Sequence, residues 1–302
     1  MSIKPAGYRE VDYRAQGPVS ELWFSEGLTM LYADQLQRRA KIPVDDSTRI
    51  LHLEGLVERY LAQPGNSRFS AEQISRVSYN ARPDALGDYS ASSHLVGELI
   101  GTVLDLHIRA ATNGTKSMDD VMRAMYQQFR DRKFTSKDVE RVTNTVCACN
   151  TSPIFQQQVF NAGAIDFNHY LAPLGLTLDV KWKPATQRDG TPAKDLRTWA
   201  WQEGDQLYLR VSDPASAWGK AALRSGDQLL RVNGTEIKTW PAYRNVLVNS
   251  AIGDSLRFEL LRAGQRVSRT VVVTGYDEPV VQIRTIPTAT QREIRLRQDW
   301  MH

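Results

Sequence analysis

The chain has 302 residues, 41% hydrophobic and 24% charged, an ordinary globular composition with material for about two domains. Its net charge of +4 is small, and Lys and Arg are scattered among acids rather than gathered in a stripe, which argues against a nucleic-acid-binding protein. No run of about 18 apolar residues occurs, so no membrane span is expected.

Residues 1–17 are polar and irregular, with Pro5, Gly7 and Gly17 as punctuation and no apolar stretch of signal-peptide type. Pro18 opens a helix in which Val19, Leu22, Trp23, Glu26, Met30, Ala33 and Leu36 recur at helical spacing, ending before Pro43. A second helix covers 46–61 and stops at Pro64-Gly65. Ser70-Ala-Glu-Gln73 is a capping box that starts a third. The most apolar helix runs from Ser92 to Thr112 and ends at Asn113-Gly114. Ser117, Thr135 and Ser152 start three more, so residues 1–161 read as an all-α domain.

Cys147 and Cys149 are the chain's two cysteines. Their C-x-C spacing predicts a poor disulfide and too few thiols for structural zinc, hence two small packed residues, with the redox compartment left open.

After Gly163 the pattern changes. Residues 173–180 alternate as a strand, and apolar runs near 197–202, 207–212, 228–232, 255–261 and 267–273 are separated by Gly, Asp and Asn turns. Helical stretches near 217–223 and 240–249 interrupt them, giving an α+β domain over 162–278. The charged tail, 279–302, has helical spacing of Ile294 and Trp300.

Two phrases in the α+β domain are specific: Pro214-Ala-Ser-Ala-Trp-Gly-Lys-Ala-Ala-Leu223 and Ser225-Gly-Asp-Gln-Leu-Leu-Arg-Val-Asn-Gly234. Together they resemble the signature of bacterial PDZ domains. Gly226 and Gly234 would supply turns at positive φ. PDZ domains add a peptide strand to a sheet edge and hold its terminal carboxylate in a backbone nest. The resemblance implies peptides or protein C-termini as partners, Leu174-Gly175-Leu176 as the carboxylate loop and helix 240–249 as the other wall. Such tripeptides are common, and Gly175 as no more than a strand start is the other reading.

A second resemblance rests on the order of several phrases. Leu22-Trp-Phe-Ser-Glu-Gly-Leu-Thr29 is followed by Gly97-Glu-Leu-Ile-Gly-Thr-Val-Leu-Asp-Leu-His-Ile-Arg109, then Ser117-Met-Asp-Asp120, Ala164-Ile-Asp-Phe-Asn-His-Tyr-Leu-Ala-Pro-Leu-Gly-Leu176, the PDZ-like module and Gln291 to Trp300. This succession resembles the C-terminal part of the glycyl aminopeptidases, gluzincin zinc metallopeptidases that carry a PDZ domain after a thermolysin-like catalytic unit. The resemblance implies a zinc hydrolase acting on small N-terminal residues. In such enzymes two histidines of His-Glu-x-x-His and a downstream glutamate hold zinc, and the motif's own glutamate activates water.

Only the downstream ligand carries over, as Glu26. No His-Glu-x-x-His occurs, and no histidine precedes His52. On residue type alone, a helical glutamate beside Trp23 and Gly27 is a solvated surface group. The family uses a tyrosine hydroxyl to stabilise its oxyanion. Where a tyrosine pair and a lysine usually precede Gly97, this chain has Ser93, His94 and Val96. His94 could donate instead, with Tyr89 a turn earlier, although a histidine at a helix start is commonly a capping or surface residue. The remaining histidines make no i,i+4 pair.

The expectation is a C-terminal segment that begins just past the histidine motif, binds no zinc and is inactive alone. Its lost N-terminus could have carried a signal peptide, and its Trp23 or Phe24 is exposed where the histidine helix would pack. The alternative is a non-catalytic peptide-binding PDZ scaffold. No compartment or oligomeric state follows from these residues.

Overall fold

The structure is a computed structural model that describes residues 3–8, 19–40, 46–78, 82 and 84–301. Pro18 and Pro43, which bracket the first helix in the sequence, fall outside them.

The first domain is helical, as its spacing predicts. Its elements are β1 (Lys4–Pro5), α1 (Leu22–Arg39), α2 (Asp46–Leu61), α3 (Gly65–Arg68), α4 (Ala71–Arg76), α5 (Ser93–Ala111), α6 (Met118–Phe129), β2 (Lys133–Phe134) and α7 (Ser136–Cys147). Next come α8 (Ser152–Ile154), which runs into a π-helical turn at Phe155–Phe160, and α9 (Phe167–Leu171). Sequence signals set several starts. Ser70, Ser117 and Thr135 each form a complete capping box with the residue three positions on, satisfying backbone amides that a helix start leaves open.

Trp23 and Phe24 are fully buried. This corrects the expectation of an exposed aromatic face. Trp23 donates from Nε1 to Ser136 Oγ at 3.1 Å and packs edge-to-face on Phe155, while Phe24 meets Phe134. The chain's own later helices cover that face.

The cysteines are also corrected. Cys147 and Cys149 form a disulfide. Ala148 takes a left-handed conformation, φ 49°, as helix α7 ends, and this folds the chain back so that the two Cα atoms lie 5.1 Å apart.

The second domain holds an antiparallel sheet of order β4-β5-β6-β8-β9, with β7 (Thr235–Glu236) paired to β6. Its strands are β4 (Thr198–Glu203), β5 (Gln206–Val211), β6 (Gln228–Val232), β8 (Ser255–Arg262) and β9 (Gln265–Val272), with helices α10 (Ala217–Lys220) and α11 (Trp240–Asn249). Gly226 and Gly234 have positive φ, 89° and 79°, as their turns require. Its core joins Leu209, Trp218, Leu229, Tyr243 and Phe258.

Between the two domains, β3 (Leu176–Pro184) pairs along its whole length with β10 (Asp277–Thr285) in a separate antiparallel ribbon. Leu174, Leu176, Leu178, Val281 and Ile283 join the helical core, as do Leu296 and Trp300 of α12 (Gln291–Met301). The helical core therefore draws on residues from both sides of residue 162. The chain leaves the helical core after β3, builds the sheet domain, and returns to that core through β10 and α12.

Candidate functional site

Two glycines set the site. Helices α1 and α5 cross so closely that a Cβ on Gly27 would lie 2.3 Å from the Gly97 carbonyl carbon. A Cβ on Gly97 would lie 1.9 Å from Trp23 O. Residues without side chains are the ones that permit this backbone approach. One residue before Gly27 and three before Gly97 stand Glu26 and His94. The crossing brings them together, with His94 Nε2 3.3 Å from Glu26 Oε2. Both side chains are part-exposed, so the pair opens to solvent.

The other sequence candidates lie elsewhere. Tyr89 packs edge-to-face with Phe69 and lies under the Arg68 guanidinium. It lines a cleft of about 850 Å³ between the domains, with Trp182, Leu196, Arg197 and Tyr276. His52 lies 2.8 Å from the buried Glu98. His107 packs against Tyr170, and burial holds its pKa below the usual imidazole value. Among the described residues, no three His, Cys, Asp or Glu side chains converge as a metal site would need. Glu26 and His94 are two donors, fewer than a zinc site takes from the protein. Among the described residues, nothing else completes that site.

Leu174-Gly175-Leu176 sits under the last helix. Gly175 has φ 64° and lies against Ala289, Glu293 and Arg297, and both flanking leucines are fully buried in the helical core. The second domain's sheet ends at β9 on one side and on the other at β4, which among the described residues pairs with β5 alone. Helix α11 packs beside it, with Thr198 Oγ1 3.0 Å from Tyr243 OH in the interior. Lys194 Nζ donates to the carbonyls of Val248 and Ser250, both at 2.6 Å, closing the C-terminal end of α11. Strand β4 was readable as a strand from its apolar run between turns. Its place at the edge was not, because strand order is set by partners remote in sequence.

Several bonds tie the domains. Ser90 N donates to Ser212 O at 3.1 Å, and Asp88 accepts from Ser225 N at 2.7 Å and pairs with Arg224 at 3.4 Å.

The family model of the M61 glycyl aminopeptidases matches residues 1–99. An aminopeptidase N family protein from Idiomarina loihiensis shares the fold at a TM-score of 0.63 and 16% identity, over 99% of this chain and 52% of that one. A serine protease Do-like HtrA from Bacillus subtilis is 26% identical over 148 residues, 48% of this chain and 31% of its own. The HtrA3 PDZ domain bound to a phage-derived ligand matches 33% of the chain at 11% identity and a TM-score of 0.23, with 92% of that domain covered. The EpsC PDZ domain of Vibrio cholerae matches 25% of the chain at 14% identity and a TM-score of 0.21, with 75% of that domain covered. The chain spans about half the length of the aminopeptidase N family structure and under a third of the curated protease.

Proposed function

The chain resembles the C-terminal part of the glycyl aminopeptidases, and on that premise we propose that it is the peptide-handling segment of a zinc-dependent aminopeptidase acting on small N-terminal residues. The observation that carries this reading is the glycine crossing of α1 and α5, which holds Glu26 beside His94 at 3.3 Å. Glu26 takes the place of the family's downstream zinc ligand. His94 takes the place of the oxyanion-binding tyrosine, as a donor that would turn from Glu26 to a substrate carbonyl oxygen. In the family, zinc polarises the scissile carbonyl.

The 302 residues include no water-activating glutamate of the His-Glu-x-x-His type. Purified chain supplied with zinc is therefore expected to release no p-nitroaniline from glycine p-nitroanilide above the buffer rate. Hydrolysis that disappears in Glu26→Ala would overturn this.

A second reading, a peptide-binding PDZ-like scaffold, is favoured by the open edge of β4 beside α11. A peptide would add as a strand to β4, with side chains entering between Thr198 or Ala200 and the helix. Titration with C-terminal peptides should perturb the amide signals of 198–203. No perturbation at millimolar peptide would remove this reading.

A further inference from the structure

A second, smaller cavity of about 220 Å³ lies between the domains, next to the Glu26–His94 pair. Ile74 forms part of its apolar lining, and Ser78, Arg82, Ser93, His94 and Arg210 supply the polar groups. Ser78 Oγ lies 2.9 Å from Ser93 Oγ. Ser93 and His94 open helix α5, whose 19 residues place the positive end of a long dipole at this wall.

Arg210 is the informative residue. It reaches the cavity from β5 of the other domain. Among the described residues its Nε is buried without a partner. Its guanidinium carbon lies over the face of Trp199, 5.4 Å from the ring centre. Burial lowers its pKa, and no charge offsets that effect. Arg210 is part-buried, and a buried Nε–H left without an acceptor is an unmet donor. Nearby carboxylates are engaged elsewhere. Asp84 pairs with Arg82 at 3.5 Å, Asp88 with Arg224, and Glu26 with His94.

We propose that this cavity binds the free carboxylate of a short peptide, with Arg210 as its counter-ion and the first turn of α5 and the Ser93 hydroxyl, which accepts from Ser78, as donors. A planar carboxylate matches the guanidinium fork and carries the one charge that is missing. The cavity takes that group with a small residue behind it. Because His94 lines both this cavity and the pair with Glu26, the rest of the peptide extends toward the candidate catalytic face. The choice of a peptide as ligand rests on the aminopeptidase reading; the recognition of a carboxylate does not.

The test is calorimetric titration of the full chain, in metal-free buffer, with Gly-Gly-Gly and with its C-terminal amide. The acid is expected to bind at least about tenfold more tightly than the amide, a difference of one charge-assisted pairing. Arg210→Gln should abolish that preference and Arg210→Lys should keep part of it, with unchanged circular dichroism as the control for folding. Equal binding of acid and amide, or a preference that survives in Arg210→Gln, would overturn the proposal. Acetate displacing the tripeptide at similar concentration would keep the carboxylate site and overturn the peptide as its ligand, which separates failure of the aminopeptidase reading from failure of the cavity.

Discussion

Glu21 occupies the N-cap position of α1 but makes no capping bond with its side chain. It is 5% exposed, and one carboxylate oxygen is buried without a partner. Burial first, and then the charge of Glu72, raise its pKa above the ordinary value. The folded protein therefore holds this proton to higher pH than the unfolded chain does. Stability linked to Glu21 is greatest below its unfolded pKa and falls as pH rises through the folded value. Glu21→Gln should stabilise the protein by about 1 kcal/mol at neutral pH and by much less near about pH 4, as read by urea denaturation at both. Equal stability of the two proteins at neutral pH would refute the assignment. The sequence does not reveal this residue, since a glutamate before an apolar helix reads as a favourable first-turn charge. Its cost arises from the helices that cover it. The same limit applies to Cys147 and Cys149. Spacing alone argued against a bond, and the left-handed turn at Ala148, invisible to periodicity, permits one.

At the scale of elements, the contact that matters is α1 against α5. Gly97→Ala places a methyl carbon inside the Trp23 carbonyl, which no rotamer change relieves. A loss of about 1–3 kcal/mol or more is expected, together with movement of His94 away from Glu26. Thermal denaturation and the His94 side-chain NMR shift would register both. Unchanged values for each would show that the crossing is looser than described. Helices were legible because their signals are local: capping boxes at Ser70, Ser117 and Thr135, and stops at Pro64-Gly65 and Asn113-Gly114. Strand β10 was not read. Its partner β3 lies a hundred residues earlier, and two glutamates of α2 bond its backbone amides. Val281 N donates to Glu58 at 2.9 Å and Ile283 N to Glu54 at 2.6 Å. An i,i+4 pair on the helix thus matches an i,i+2 pair on the strand. No local pattern announces that match, although it covers amides a sheet edge would leave open.

At the scale of the molecule, the chain builds its helical core first, departs to form the sheet domain, and returns. Trp300 closes that return. The buried Arg49 lies 4.3 Å from its ring and bonds its carbonyl oxygen. The two domains meet along the wide cleft and the smaller cavity beside His94, and both the β4 edge and Arg210 belong to the sheet domain. The order of family phrases was legible in the sequence, and with it the position of Glu26. Which residue would stand next to Glu26 was not, because the helix crossing decides it. Among the described residues, that crossing assembles two donors for a metal that needs more. The most direct measurement is the zinc stoichiometry of the purified chain after equilibrium dialysis, compared with Glu26→Ala. Well under one zinc per chain for both proteins is predicted; one tightly held zinc per chain, lost in Glu26→Ala, would contradict the account.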